Sequence, residues 1–223
     1  MICRFKEIFS SIQGEGIYLG YKQLFIRFNG CNMKCSYCDE KLKPVKYSLS
    51  AKELYKKISS LEKSSGPHHS ISLTGGEPLV SVKFLADFLP LLKPSFIVYL
   101  ETNGTLPGNL RKIIEYFDII AMDIKLPSST GNGQYWKEHE EFLKTALSKK
   151  IFIKVIVHGK TTGKDIKKAV SIVRKYSSTI PFIIQPVYGM KLTDKISGFY
   201  NIAKAKLDDV RIIPQVHKLT GVK

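Results

Sequence analysis

The chain has 223 residues, 43% of them hydrophobic, enough to bury one substantial core, so one domain spanning residues 1–223 is expected. Lys and Arg number 35 against 19 Asp and Glu, a formal charge of +16, but the lysines are scattered as on solvated helix faces, which argues against direct nucleic-acid binding. Residues 1–11 carry Arg4, Lys6 and Glu7, and no segment reaches the roughly 18 apolar residues of a membrane span, so neither a leader nor an anchor is expected.

Short apolar, β-branched or aromatic runs predict buried strands at 24–28, 71–73, 96–100, 119–122, 151–157, 182–185 and 210–213. Helical patterns fill the intervals. Ser50-Ala-Lys-Glu53 reads as a capping box, after which Leu54, Ile58 and Leu61 recur at helical spacing. Further helices are predicted at 80–92, 134–148, 165–176 and 193–205. Strand and helix in alternation imply a parallel sheet with right-handed crossovers. The units are too few for a closed barrel of about 250 residues, so the expected fold is α/β, a partial, open parallel β/α barrel of about six strands. In such folds ligands gather at the carboxyl ends of the strands. There the sequence places Asn29-Gly30-Cys31, Thr74-Gly75-Gly76-Glu77, Glu101-Thr102-Asn103-Gly104, Asp123-Ile124-Lys125, His158-Gly159-Lys160 and Gln185.

Cys31, Cys35 and Cys38 form a CxxxCxxC triplet directly after the first of these strands. Thiols so clustered suit a metal centre in a reducing cytoplasm rather than a disulfide framework. Two occupants fit the spacing. A structural zinc site needs a fourth ligand, and Cys3 or a histidine would have to supply it. An iron–sulfur cube with three protein ligands keeps one iron open to something else. Tyr37 between the last two cysteines would shield such a cluster and offer a face to a flat ligand. The glycines of Thr74-Gly75-Gly76-Glu77-Pro78 let backbone polar groups approach a ligand closely. Arg27 is a cation in an otherwise apolar strand, suited to fork-like pairing with a carboxylate.

CxxxCxxC followed by GGEP after a strand resembles the radical S-adenosylmethionine (SAM) enzymes. The resemblance implies a 4Fe–4S cluster on Cys31, Cys35 and Cys38, with SAM chelating the open iron. An electron from the cluster then cleaves SAM to a 5′-deoxyadenosyl radical that abstracts hydrogen. Ser11-Ile-Gln-Gly-Glu-Gly16, Phe25-Ile-Arg-Phe-Asn-Gly-Cys31, Cys35-Ser-Tyr-Cys-Asp39, Leu100-Glu-Thr-Asn-Gly104 and Pro214-Gln-Val-His217 together resemble the 7-carboxy-7-deazaguanine synthase family, nearly end to end. That family converts 6-carboxy-5,6,7,8-tetrahydropterin to 7-carboxy-7-deazaguanine with loss of ammonia, on the route to queuosine.

By this resemblance Tyr37, Asp39, Gly76, Glu77, Glu101, Asp123, Ile124, Lys125, Gln185, Pro186, Val187 and Tyr188 would form the SAM site. Ile12, Gln13, Gly14, Arg27, Thr74, His217 and Lys223 would bind the pterin. Mg²⁺ would lie near the substrate, where this chain has Glu40 at the family's hydroxyl position; a carboxylate suits that metal or could replace it. The resemblance also implies a homodimer and an acidic electron donor, a flavodoxin or ferredoxin, toward which the basic surface would steer. Two rivals keep the same cysteines: an activase that installs a glycyl radical on a partner protein, and a zinc-stabilised, basic RNA-binding module.

Overall fold

The computed structural model describes residues 1–38, 44–189 and 194–222. In chain order the elements are β1 (Ile2–Ile12), β2 (Lys22–Phe28), β3 (Tyr47–Ser50), α1 (Ala51–Ser65), β4 (Ser70–Gly75), α2 (Val82–Leu92), β5 (Val98–Thr102) and α3 (Pro107–Arg111). Then follow β6 (Ile119–Asp123), α4 (Pro127–Thr130), α5 (Trp136–Ala146), β7 (Lys150–Val157), α6 (Gly163–Arg174), β8 (Phe182–Pro186), α7 (Asp194–Lys204), β9 (Val210–Ile212) and α8 (Val216–Thr220).

All strands join one nine-stranded sheet in the order β3-β1-β2-β4-β5-β6-β7-β8-β9. From β2 through β9 every neighbouring pair is parallel, and among the described residues no pairing closes β9 onto β3. The open parallel sheet is thus as expected. The difference lies at one edge, where β1 pairs antiparallel with both β2 and β3, and neither strand was predicted. β1 carries Arg4, Lys6, Glu7, Ser10 and Ser11, so it lacks the apolar run that marks a strand buried on both faces. β3 is short and only partly buried.

Helix starts follow local chemistry. The Ser50 hydroxyl accepts from the Glu53 amide, and the Glu53 carboxylate accepts from the Ser50 amide at 2.8 Å, closing the anticipated capping box of α1. At α6 the Thr162 hydroxyl accepts from the Asp165 amide. Gly163–Arg174 then buries Ile166, Ala169, Val170, Ile172 and Val173, one apolar stripe facing the sheet. No helix among the described residues is long and apolar enough to cross a membrane.

Two apolar clusters divide the sheet's faces. The large one lies between the sheet and the helices and includes Leu24, Ile26, Leu73, Leu100, Ile120, Ile153, Ile184 and Phe142. The small one, on the concave face, consists of Tyr99, Ile119, Ala121, Phe152 and Ile183, with Ile17, Tyr18 and Ile213 against it. Side chains on a strand alternate between faces. Two residues beyond this small cluster, on the same strands and the same face, come Glu101, Asp123, Lys154 and Gln185. An apolar floor with charges above it is therefore written into the alternation of four consecutive strands.

Candidate active site

The cysteine loop leaves β2 at Asn29 and is held from several sides. Ser36 donates from its amide and hydroxyl to the carbonyls of Thr130 (2.9 Å) and Ser129 (2.8 Å). Asn32 donates to the Thr105 hydroxyl and accepts from the Asn103 amide side chain, at 2.8 and 2.9 Å. The glycine turn after β4 is fastened to the same loop: the Gly76 amide donates to Phe28 and the Glu77 amide to Gly30, at 3.2 and 2.9 Å. A Cβ on Gly76 would lie 1.9 Å from the Gly30 carbonyl oxygen, so only glycine permits this approach.

Glu77 points into the protein. Its carboxylate accepts from Leu79 N (3.1 Å), Thr102 Oγ1 (2.9 Å) and Asn103 N (2.7 Å). Burial pushes its pKa up to about 7, even though these three bonds favour the ionised form. His139, also buried, lies 3.1 Å from the Asn103 carbonyl and 3.3 Å from the Lys125 amide through Nε2. Burial lowers its pKa to about 4, so it is a neutral spacer between the loops after β5 and β6.

These loops enclose two adjoining cavities. The first, about 190 Å³, is lined by Cys31, Cys35, Cys38, Tyr37, Gly76, Asp123, Lys125, Lys154 and Val187 among others. The second, about 460 Å³, is lined by Phe9, Ile12, Gln13, Gly14, Phe25, Tyr188 and His217 among others. Glu15, Arg27, Thr74, Glu101, Gln215 and Lys218 border both. The cavities are two lobes of one site.

Polar contacts define each lobe. In the larger, Arg27 Nε lies 3.1 Å from Glu7 Oε2 and its guanidinium 5.7 Å from the Phe9 ring, which stacks on Phe25 at 5.3 Å. Between the lobes, the Glu101 carboxylate accepts from Gln13 Nε2 (2.9 Å) and Thr74 Oγ1 (2.7 Å). In the smaller, Lys125 Nζ pairs with Asp123 at 2.8 Å and sits 5.8 Å from the Tyr37 ring. Lys154 pairs with Glu15, and with Asp123 at 3.4 Å. Burial alone would raise the Glu15 carboxyl, but the Lys154 ammonium outweighs it and holds it at about 2. Burial works against a charged Lys154 too, and Asp123 and Glu15 more than offset it, raising that pKa.

The sequence-expected residues fall into place unevenly. Half of the twelve anticipated SAM residues, Tyr37, Gly76, Glu101, Asp123, Lys125 and Val187, line the smaller lobe, whereas Tyr188 lines the larger one. Ile124 and Pro186 are buried and line neither lobe; Ile124 packs in the large core. Gln185 is also buried, next to the cavity-lining Ile156 on β7. Asp39, Glu40 and Lys223 lie outside the described residues. Cys3 is buried in the core, its thiol 3.6 Å from the Ser81 hydroxyl, and does not line the lobe that holds the triplet. Glu15, Lys154, Asn103, Gln215 and Lys218 were not singled out from the sequence. A signal existed for Lys154: it is a cation in an apolar run, the argument already applied to Arg27.

The donors fit a cluster and SAM. Among the described residues no three His, Cys, Asp or Glu side chains converge on a single-ion site, as mononuclear zinc requires. A cube that takes one thiolate per iron needs no such convergence, and all three thiols face one lobe. Burial raises the Cys31 and Cys35 thiols, so metal binding would have to displace their protons. The buried Gln185 amide lies beside Glu15 and helps keep that carboxyl ionised.

Comparison with known proteins agrees with this geometry. The model of the radical SAM superfamily matches residues 25–186. The 7-carboxy-7-deazaguanine synthase of Geobacter sulfurreducens is 37% identical, over 97% of this chain and 96% of its own length. That of Archaeoglobus fulgidus is 33% identical, over 97% of each. The crystal structure of QueE from Escherichia coli superposes with a TM-score of 0.65 at 21% identity, covering 97% of this chain and 95% of that one, a likeness of fold. A shared superfamily core and full-length similarity to synthases from a bacterium and an archaeon place the chain in the 7-carboxy-7-deazaguanine synthase family of radical SAM enzymes.

Proposed function

We propose that the protein contracts the ring of 6-carboxy-5,6,7,8-tetrahydropterin to 7-carboxy-7-deazaguanine with loss of ammonia, in 7-deazapurine (queuosine) biosynthesis. The observation that carries this reading is the two-lobed cavity, with cysteines and glycine turn in one lobe and an arginine beside stacked aromatic rings in the other. Its larger lobe, about 460 Å³, is of small-molecule size. A glycyl-radical activase would need a groove for a polypeptide.

Cys31, Cys35 and Cys38 would hold the cluster, and Gly76, Tyr37, Asp123, Lys125 and Val187 would surround SAM. When bound, cluster and SAM supply a carbon radical able to remove hydrogen from the substrate. The chain's own residues position the pterin. Arg27, steadied by Glu7, meets the substrate carboxylate in a fork. Phe9 and Phe25 offer a flat apolar wall to the ring system. Glu101, fixed by Gln13 and Thr74, presents an acceptor for ring N–H groups. His217 closes the lobe over Gly14, where any Cβ would lie 2.5 Å from the imidazole. No side chain acts as a nucleophile; the protein's part is orientation and exclusion of water.

The proposal extends to Mg²⁺ beside the substrate through Glu40, to a flavodoxin or ferredoxin as reductant, to a homodimer, and to a cytoplasmic location in keeping with free thiols. The test is anaerobic turnover of cluster-loaded protein with SAM, reductant and the carboxypterin, with and without Mg²⁺. The expected product is 7-carboxy-7-deazaguanine by mass spectrometry, lower in yield after chelation. No product from protein with a full cluster would sink the reading.

A further inference from the structure

Lys154 lines the smaller lobe, on the same face of β7 as Phe152, and is buried between Asp123, which lines that lobe, and Glu15, which borders both. Its strand neighbours on that face, Phe152 and Ile156, show that the position accepts apolar side chains. Removing Lys154 alone would leave two largely buried carboxylates without their cation, so its place is set by those partners. An ammonium has three N–H donors. Glu15 and Asp123 accept from it, and the group borders the lobe that holds the cysteines.

Each partner of Lys154 has a second attachment, and these lead in opposite directions. Asp123 is also held by Lys125, which sits over Tyr37 in the cysteine loop. The second oxygen of Glu15 accepts from Gln215 Nε2 at 2.9 Å, and Gln215 Oε1 in turn accepts from the Tyr188 amide at 3.3 Å. Gln215 is the residue before α8, which carries His217 and Lys218 into the wall of the larger lobe. α8 has no buried residue. Contacts that hold it include Gln215 on Glu15, the Val216 amide on the Gly14 carbonyl at 3.0 Å, and the His217 imidazole packed against Gly14.

We infer that Lys154 is a positioning residue through which filling of the SAM lobe orders the α8 wall of the pterin lobe. The inference rests on the function proposed above, because it names the occupants of the lobes. A ligand that engages Asp123 loosens its hold on Lys154 and leaves the ammonium to Glu15. Glu15, fixed more firmly, holds Gln215 and with it His217 and Lys218. By linkage the effect runs both ways: the pterin tightens SAM as much as SAM tightens the pterin.

The experiment uses cluster-loaded protein, kept anaerobic and without reductant so that no turnover occurs. SAM is titrated calorimetrically, alone and with saturating 6-carboxytetrahydropterin. The wild type is expected to bind SAM about tenfold more tightly when the pterin is present. Lys154→Met alters the lining of the SAM lobe, so the readout is the ratio of its SAM affinities with and without the pterin; that ratio should fall to about one, and Lys154→Arg should restore part of it. Gln215→Leu, at a partly exposed position, should lose the tightening too and decides the matter if Lys154→Met fails to fold. Tightening that survives in Lys154→Met or Gln215→Leu overturns the inference. So does a wild type that binds both ligands independently. A wild type that binds SAM but no pterin overturns the proposed function itself.

Discussion

Glu77 gives the protein a pH-dependent weak point. Its folded pKa, about 7, lies above the ordinary 4.5, so the folded state holds the proton longer than the unfolded chain does. Its contribution to stability is full below pH 4.5, declines as pH rises toward 7 and is flat beyond. The size is about 3 kcal/mol at most. Urea midpoints between pH 4.5 and 8 should show this decline, and Glu77→Gln should flatten it; an equal slope in the variant would count against the assignment. At Cys31 the expected outcome is simpler. Cys31→Ala should fold but lose the brown chromophore and most bound iron, as read by absorbance and metal analysis. Much of this residue-level chemistry was legible: the cysteine spacing and the glycine pair led directly to side chains that line one lobe. The pairing of Lys154 with Glu15 escaped because the two lie 139 residues apart, although Lys154 stood out as a cation in an apolar run and Glu15 lay within the Ser11–Gly16 motif. Glu77 was read as facing a ligand, whereas its carboxylate is turned inward to bind the next loop.

Among the elements, the turn after β4 is the least forgiving. Gly76→Ala places a methyl group 1.9 Å from the Gly30 carbonyl oxygen, and the turn must lift off the cysteine loop. We expect a loss of about 1–3 kcal/mol in urea unfolding together with poor iron incorporation. Gly133→Ala, with nothing within 4 Å of its Cβ, is the control and should change neither. Parallel strands from β2 to β9 were legible as apolar runs because both of their faces are covered. β1 was not, since it lies near the sheet's edge and mixes charged with apolar residues. α8 was missed for a related reason: it is five residues long and none of them is fully buried, so no hydrophobic period announces it.

On the scale of the whole molecule, a formal charge of +16 is a long-range field that favours acidic partners. Reduction of the cluster by an acidic flavodoxin should therefore slow by about tenfold or more between low salt and roughly 0.5 M, as exposed charges are screened. A rate indifferent to salt would remove electrostatic docking from the picture. The number of strand–helix units announced the sheet's openness, whereas the joining of two lobes arises only when distant strands are assembled.

The bond between Gln215 and Glu15 spans 200 residues, and its consequence is temporal. While the chain is being synthesised, the cysteine loop and glycine turn can meet as soon as β4 has paired with β2. The wall around His217 cannot form until nearly everything else has emerged from the ribosome. A nascent chain stalled before Gln215 would hold the thiols in their loop beside an unfinished pocket. The residues of the cysteine loop and glycine turn are thus synthesised long before those of the wall around His217.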